Sequence, residues 1–165
     1  MHSLGWSVRG FYKSISSGAE PSPFIKFTLR WPQYRVWGAP LDALVDSGSP
    51  FTAMAPRDAE RYQIPLSKLN RDQKLPPIGF AGLSFIPRLA SNAELVFTDE
   101  DGKRHSVKYE PLYVLEPNLP RNLWRERGVY RLPNIIGMDF LKRQRVKAHM
   151  DPSLGEFKLE FPGQI

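Results

Sequence analysis

The residues with the clearest chemical potential are Asp46, Ser47, Gly48 and Ser49, which directly follow the apolar run at 43–45. The apolar run predicts the end of a buried strand, and the glycine and serine that follow the acid predict a turn. A carboxylate at such a boundary is costly unless it is hydrogen-bonded or shares its charge. Asp46 is therefore either a structural turn residue or a catalytic group whose pKa is tuned by its surroundings.

A second stretch far downstream, residues 134–141, runs two β-branched residues, Ile135 and Ile136, into Gly137 and a further apolar segment. Together the two stretches resemble the retropepsin-like, single-domain aspartic proteases. In that family an Asp-Thr/Ser-Gly loop is paired with a later apolar-apolar-Gly segment packed behind it. The resemblance covers roughly residues 24–161. It implies a mainly β fold, namely a closed β-barrel acid-protease half with short helices that forms a homodimer.

Composition agrees with one turn-rich globular domain. The chain has 165 residues, and its 16 prolines and 12 glycines argue against long helices. With no cysteine, disulfides, thiolate zinc sites and a cysteine nucleophile are all excluded. Serine, glycine and proline clusters mark residues 1–22 as a loosely ordered N-terminal extension, and the retropepsin-like domain is predicted to span 23–165.

The net charge of +6 and the sequence pI near 9.7 permit acidic partners. The positive net charge also allows nucleic acid as a partner but does not favour it, because most basic residues of a small domain simply form the solvated surface of that domain. No stretch approaches the length of a membrane span, and the N-terminus lacks the apolar region of a signal peptide. We therefore expect a cytoplasmic protein with no membrane partner.

Short strands are predicted around the two motifs. Residues 24–31 alternate polar and apolar side chains with a period of two, which is typical of a half-buried strand. Turns at 32–33 and 38–40 would separate this strand from the next two. The other predicted elements are strands at 34–37, 41–45, 93–98, 106–115, 146–150 and 156–161, and short helices at 56–62 and 137–143.

A glycine-containing hairpin is predicted between residues 78 and 83. Two glycines around an aromatic residue permit the unusual dihedral angles of a tight tip and leave it mobile. In the family that the chain resembles, a hairpin at this chain position is the flap that closes over substrate; the alternative is an ordinary surface turn. The residues of this hairpin are Ile78, Gly79, Phe80, Ala81, Gly82 and Leu83. Candidate substrate-pocket residues are Phe51, Ile78, Phe80 and Leu83.

Hydrolysis of a peptide by carboxylates needs two of them close together, one ionised to take a proton from water and one protonated to polarise the carbonyl. Two such groups share a proton and titrate as a pair, as aspartic proteases illustrate. The sequence contains Asp-Ser-Gly once, so one chain supplies half of a site. The resemblance therefore implies a homodimer in which one Asp46 from each chain activates a water, with a polypeptide substrate and neither metal nor cofactor.

Each neighbour of Asp46 has an expected role. The resemblance gives the Ser47 hydroxyl a hydrogen bond to backbone across the dimer axis. The backbone amide of Gly48 is expected to point at the carboxylate, and Ser49 is expected to donate to its outer oxygen. Behind the loop we expect close backbone packing by Ile135, Ile136 and Gly137.

Other polar groups fit structural roles better. Asp139 opens a predicted helical turn, where a carboxylate is stabilised by capping, so we assign it to structure. The three histidines are too dispersed for a metal site. The long loop at 116–133 carries four arginines beside Trp124 and is interpreted as a solvated insertion, with binding of an acidic substrate or nucleic acid as the alternative.

The sequence also allows a second, non-catalytic function. The chain could keep the fold and the dimer without catalysis and act as a module that binds a peptide or nucleic acid, because fold does not imply function.

Overall fold

The computed structural model describes residues 4–163. Over this range the chain is mainly β, with two six-residue α-helices and short 3-10 turns, which confirms the predicted fold class. Neither helix in residues 4–163 is long and apolar enough to cross a membrane. The strands are β1 Trp6–Arg9, β2 Phe11–Lys13, β3 Ser22–Trp31, β4 Val36–Asp46, β5 Ala53–Met54, β6 Ile78–Phe80, β7 Leu83–Leu89, β8 Glu94–Thr98, β9 Arg104–Lys108, β10 Tyr113–Pro117, β11 Asn134–Gly137, β12 Lys147–Asp151 and β13 Glu156–Phe161. The helices are α1 Pro56–Arg61 and α2 Met138–Arg143.

The strands form two sheets. The larger has the order β6-β7-β10-β5-β11-β4-β3-β8-β9, with β2 paired to β3, and the smaller has the order β1-β13-β12. The expectation of a closed barrel is wrong, because within residues 4–163 the larger sheet ends at β6 and β9, which do not pair. Closure requires the two end strands to pair, and here β6 is a three-residue strand that forms a hairpin with β7 alone.

The strand that carries the acid is longer than the sequence predicts. β4 runs without a break from Val36 to Asp46, so the turn expected at 38–40 is absent. The register with β3 instead shifts by one residue: Leu29 pairs with Ala39, and Arg30 pairs with Trp37. Gly38 is thus the extra residue of a β-bulge, which lets one strand continue where the sequence indicates a turn.

The described part of the predicted N-terminal extension is built into both sheets. β1 pairs antiparallel with β13, and β2 pairs antiparallel with β3. The Trp6 ring lies between the rings of His105 and Phe161, with both centroids 3.9 Å away. Residues 6–12 are therefore packed on the body of the domain, whereas residues 13–21 are exposed. Residues 1–3 lie outside the described residues.

The core has two parts. The larger cluster contains the fully buried Trp31, Phe97 and Phe140 and joins the larger sheet to the smaller one. The second cluster is smaller and is centred on Phe85 and Tyr113. Phe51, the β6–β7 hairpin and Leu75 pack against this second cluster, so it supports the region in which the candidate site lies.

The segment between β10 and β11 is largely exposed, as a solvated insertion predicts, but it is folded around a buried anchor. Trp124 and Val129 are buried, and the Trp124 indole donates to the carbonyl of Leu119 at 3.2 Å. Arg121 lies 2.8 Å from Glu60, next to α1. The four arginines of this segment are exposed, and Trp124 is its buried aromatic anchor. The burial of Trp124 depends on contacts with distant parts of the chain.

Candidate active site

The two sequence motifs are neighbours in the structure. β11 lies parallel to β4, and the register places Ile135 beside Leu44, Ile136 beside Val45, and Gly137 beside Asp46. Residues 43–45 of β4 and all four residues of β11 are buried, whereas Asp46 is partly exposed. Asp46 thus lies where the core meets solvent.

The Asp46 carboxylate is held by its own turn. The Gly48 amide donates to Asp46 Oδ1 at 2.9 Å, which is the contact expected from the sequence. The Ser49 amide donates to the Asp46 carbonyl at 3.1 Å and closes the turn. This hydrogen bond fixes the direction in which the carboxylate points.

Ser49 does not make the predicted contact with the carboxylate. Its hydroxyl donates to the Phe51 carbonyl at 2.9 Å and accepts from the Phe51 amide at 3.2 Å. Serine hydroxyls readily bond to backbone two residues away, and here that local geometry prevails over the neighbouring carboxylate. Ser47 is exposed, which leaves its hydroxyl accessible to a second chain; the contact across a dimer axis stays a prediction.

Gly137 approaches the acid loop more closely than a side chain would allow. A Cβ atom at this position would lie 2.7 Å from the carbonyl oxygen of Ser49 and closer still to that of Phe51. The absent side chain lets the Met138 amide donate to the Ser49 carbonyl at 2.7 Å. The loop is therefore fixed to the start of α2, as the family resemblance implies.

A buried polar relay fixes the same junction from the other side. Thr52 Oγ1 accepts from the Gly137 amide at 3.0 Å and donates to Asp139 Oδ1 at 2.8 Å. The Tyr109 hydroxyl donates to Asp139 Oδ2 at 2.7 Å. Burial raises the pKa of Tyr109, and the hydrogen bond to Asp139 raises it further. Asp139 is thus structural, although it bonds to these two side chains and not to the helix amides expected of a cap.

Replacing Thr52 by valine should lower the free energy of unfolding by about 1–3 kcal/mol, because the buried Gly137 amide loses its acceptor. Urea unfolding followed by circular dichroism measures the difference. Thr28→Val is the matched control, since in residues 4–163 the half-buried Thr28 hydroxyl makes no side-chain hydrogen bond. Equal stability of the two variants would contradict the relay.

Asn134 is a buried organising residue that the sequence does not identify. Its Oδ1 accepts from the Ala55 amide at 2.7 Å, and its Nδ2 donates to the Asp42 carbonyl at 2.9 Å and to Asp58 Oδ2 at 2.6 Å. Asn134 and Asp58 are each only 3% exposed. These contacts join β11 to β4 and α1. In the sequence, Asn134 is a single amide residue at the start of an apolar run, and this pattern does not indicate the distant partners of its side chain.

An open cleft of about 400 Å³ begins at Asp46 and extends beneath the β6–β7 hairpin. Phe51, Ile78 and Phe80 line it, as the sequence predicts, but Leu83 does not and packs against the smaller core cluster instead. Among the described residues, Asp46 is the only ionisable residue of the lining. Lining residues that the sequence analysis does not single out are Pro50, Ala53, Leu75, Pro76, Pro77 and Leu115.

The hairpin over the cleft has a tight two-residue tip. Phe80 pairs with Leu83, and between them Ala81 and Gly82 have φ angles of +52° and +77°. Two positive φ angles are typical of a hairpin turn that matches the twist of its strands. The hairpin itself is therefore as the sequence predicts, and its role as a flap stays a prediction.

Ala81→Gly should raise the free energy of unfolding by about 0.5–1 kcal/mol, because alanine is strained at positive φ and glycine is not. Chemical denaturation measures this effect. Ala19→Gly is the control: Ala19 is exposed and outside the positive-φ residues, so glycine there should only add freedom to the unfolded chain and lower stability. A loss of stability in both variants would contradict the strain at the tip.

Tyr113 links the acid loop to the segment before the hairpin. Its ring meets the Phe51 ring edge-on, with centroids 5.8 Å apart, and its hydroxyl donates to Asp72 Oδ2 at 2.9 Å. Burial, followed by the Asp72 contact, raises the pKa of Tyr113 to about 12. The Lys74 amide and then the Tyr113 hydroxyl lower the pKa of Asp72. The wall formed by residues 72–80 is thereby tied to β10.

Tyr113→Phe should raise the pKa of Asp72 towards its ordinary value, because one donor to the carboxylate is lost. A lowered carboxyl pKa stabilises the fold above the unfolded-state pKa, and this contribution is lost as the pH falls through the folded-state pKa. The variant should therefore lose less stability on acidification than the wild type. Carboxyl NMR titration measures the pKa, and an unchanged Asp72 titration in the variant would contradict the assignment.

Comparison with known proteins gives a likeness in fold. No protein-family model matches the sequence, and no curated protein matches it. Among solved structures, the chain is similar to a retropepsin-like aspartic protease from Rickettsia conorii, at 15% identity and a TM-score of 0.47. The match covers 98% of this chain and 99% of that one. At this identity and TM-score the likeness assigns no function to the chain and no role to any residue.

Proposed function

We propose that this chain is one half of an aspartic endopeptidase that is active as a homodimer. The observation that carries the proposal is the placement of Asp46. Its carboxylate is oriented by the Gly48 amide, lies at the end of a buried strand and opens onto an otherwise uncharged cleft beneath a hairpin. A single oriented carboxylate in an apolar cleft is suited to acid–base chemistry rather than to an ion pair.

The second carboxylate has to come from another chain. Within the described residues, Asp46 is the only ionisable residue lining the cleft. The other nearby acid, Asp139, is engaged by Thr52 and Tyr109. A twofold axis beside the cleft would bring two copies of Asp46 together, because an isologous interface places the same residue on both sides of the axis. The exposed Ser47 would lie beside that axis.

In the proposed reaction a water between the two carboxylates attacks the peptide carbonyl carbon. The ionised Asp46 takes a proton from the water while the protonated one donates its proton to the carbonyl oxygen, which gives a tetrahedral intermediate. Collapse of the intermediate breaks the C–N bond. The protonated Asp46 gives its proton to the leaving nitrogen, and the ionised Asp46 takes the proton of one hydroxyl of the intermediate as the carbonyl re-forms. The products are a carboxylic acid and an amine, and the pair returns to its singly protonated state.

The cleft favours an extended polypeptide with apolar side chains. Phe51, Ile78, Phe80 and Leu115 supply an apolar wall, and within residues 4–163 β6 is an edge strand that pairs with β7 alone. A peptide lying as a strand can use the backbone groups of an edge strand for affinity and the apolar wall for specificity. Closure of the hairpin over the peptide would exclude bulk water from the reacting groups.

Cleavage of a mixed peptide library across acidic to neutral pH tests the proposal. The expected result is hydrolysis at bonds flanked by apolar side chains, with a specific activity that rises with protein concentration as dimers form. No cleavage by a protein that is dimeric throughout would refute the proposal and favour the alternative of a peptide- or nucleic-acid-binding module.

A further inference from the structure

We infer that this chain binds single-stranded nucleic acid through a surface of exposed arginines on α1 and on the segment 121–131 between β10 and β11. We call it the arginine surface. Its six members are Arg57, Arg61, Arg121, Arg125, Arg127 and Arg131. The inference goes beyond the proposed function and does not rest on it, because none of the six lines the cleft at Asp46.

α1 and the segment 121–131 are packed together. Arg121 Nη2 donates to Glu60 Oε1 at 2.8 Å. The same carboxylate raises the pKa of Tyr130, whose hydroxyl lies beside it. The Trp124 ring is buried and meets the Tyr130 ring edge-on, with centroids 6.2 Å apart. The arginines of both elements therefore belong to one packed surface.

Positive charge is in excess on this surface. In α1 and residues 117–133 every cation is an arginine, and the exposed acids are Glu60 and Glu126. The remaining acid, Asp58, is only 3% exposed. Within residues 4–163 four of the six arginines form no ion pair, namely Arg61, Arg125, Arg127 and Arg131. A surface on which cations outnumber acids in this way attracts anionic partners.

Two of the guanidinium groups are held against aromatic rings. Arg121 Cζ lies 5.0 Å from the centroid of Trp124, and Arg61 Cζ lies 5.3 Å from the centroid of Tyr62. A stacked guanidinium loses less conformational freedom when its N–H groups bind a phosphate through two parallel hydrogen bonds. Lysine is a point charge without this geometry, and the lysines of the chain lie outside both elements. The exclusive use of arginine therefore indicates phosphate as the ligand group.

The shape of the surface favours a single strand over a duplex or an acidic peptide. α1 has six residues, and the 3-10 turns at Arg121–Leu123 and Val129–Arg131 are shorter, so none of these elements can fill a major groove. A nucleic-acid strand presents a phosphate at every nucleotide to arginines spread over a surface. An extended acidic peptide points successive carboxylates to opposite sides. Unpaired bases can also stack on guanidinium planes.

The arginine surface and the cleft lie on opposite faces of β10. Leu115 lines the cleft, whereas the next residue, Glu116, lines a second open cavity of about 470 Å³ together with Arg121 and Trp124. Adjacent residues of a strand point to opposite faces of the sheet. A nucleic acid on the arginine surface would therefore leave the cleft open to a peptide.

Fluorescence anisotropy of a labelled oligothymidylate with the whole chain tests the inference. The wild type should bind, and the logarithm of its association constant should fall linearly with that of the salt concentration, because phosphate contacts release counterions. A triple variant with Arg125→Gln, Arg127→Gln and Arg131→Gln should raise the dissociation constant roughly tenfold or more and reduce the steepness of the salt dependence by about 2. Its fold, checked by circular dichroism, should persist because these side chains form no ion pair within residues 4–163.

A second triple variant with the same loss of charge is the matched control. It carries Arg35→Gln, Arg104→Gln and Arg145→Gln, at exposed arginines outside both elements that form no ion pair among residues 4–163. Its dissociation constant should stay within about threefold of the wild-type value, because exposed charges beyond a Debye length are largely screened. Equal weakening by both triple variants would show that net charge alone drives binding and would overturn the arginine surface, as would a wild type that does not bind.

Competition and the Asp46→Asn variant identify the partner and its place. Unlabelled oligothymidylate should displace the probe at a lower concentration than a DNA duplex of the same length or polyglutamate with the same number of charges. Equal or better displacement by either competitor would overturn the assignment to a single strand. Asp46→Asn should bind as tightly as the wild type whether or not the chain cleaves peptides. Lost binding in that variant would place the nucleic acid in the cleft and overturn the arginine surface.

Discussion

Asp46→Asn should reduce the rate of peptide hydrolysis by roughly 10³-fold or more, because an amide cannot take a proton from water. When catalytic residues act as a unit, removing one of them abolishes most of the activity of the whole unit. Asparagine has the same shape as aspartate, and its carbonyl oxygen can still accept from the Gly48 amide. The fold and the dimer should therefore persist while the chemistry is lost. Initial rates on a cleaved library peptide, with both proteins at the same dimer concentration, measure the effect.

Asp42→Asn provides the matched control for this substitution. Asp42 lies on the same strand, β4, and among residues 4–163 its carboxylate contacts only the exposed Lys13, at 3.4 Å. Such a surface pair contributes little, so the variant should keep nearly full activity. Cleavage by Asp46→Asn at a rate close to that of Asp42→Asn would contradict the assignment of Asp46 as catalytic.

Gly137→Ala should lower the free energy of unfolding by about 3 kcal/mol and remove most activity as well. The new Cβ would meet the Ser49 and Phe51 carbonyl oxygens, which are backbone atoms and cannot rotate away. Overpacking of this kind forces a backbone shift, and the segment that must shift is the loop that holds Asp46. Denaturant unfolding and peptide cleavage of the same preparation measure the two effects together.

Gly79→Ala is the control for Gly137→Ala. Within residues 4–163, and apart from its two chain neighbours, no heavy atom lies within 4 Å of a Cβ built on Gly79, and its φ angle is outside the positive range. Its stability should therefore stay within about 0.5 kcal/mol of the wild type, as is usual for surface substitutions. If Gly137→Ala were as stable as Gly79→Ala, the close packing of β11 against the acid loop would be refuted.

The parts of this structure that sequence predicts are those fixed by local pattern. The alternation in residues 24–31 corresponds to β3, and the proline-led helix predicted at 56–62 is α1 over Pro56–Arg61. The hairpin predicted at 78–83 is present, with Ala81 and Gly82 at its tip and Gly79 within β6. The pairing of the Asp46 loop with Gly137 followed from a family resemblance that joins two distant motifs. Spacing alone would not have joined them.

The parts that sequence does not predict depend on long-range contacts or on competition between partners. Ser49 has a carboxylate and a backbone carbonyl within reach, and only the loop geometry decides between them. Asn134 acquires its role from Asp58, which is distant in sequence. The burial of Trp124 depends in the same way on tertiary packing. The larger sheet is open because its two end strands do not pair with each other, and no local sequence pattern predicts whether they do.

The central claim is that each active site needs one Asp46 from each of two chains, and subunit mixing tests it most directly. Wild-type protein is incubated with an excess of Asp46→Asn until fluorescence energy transfer between labelled chains shows that subunits have exchanged, and cleavage per wild-type chain is then measured. We predict that activity falls towards zero as the excess grows, because nearly every wild-type chain then has a partner without the second carboxylate. Activity per wild-type chain that stays constant after full exchange would contradict the shared site.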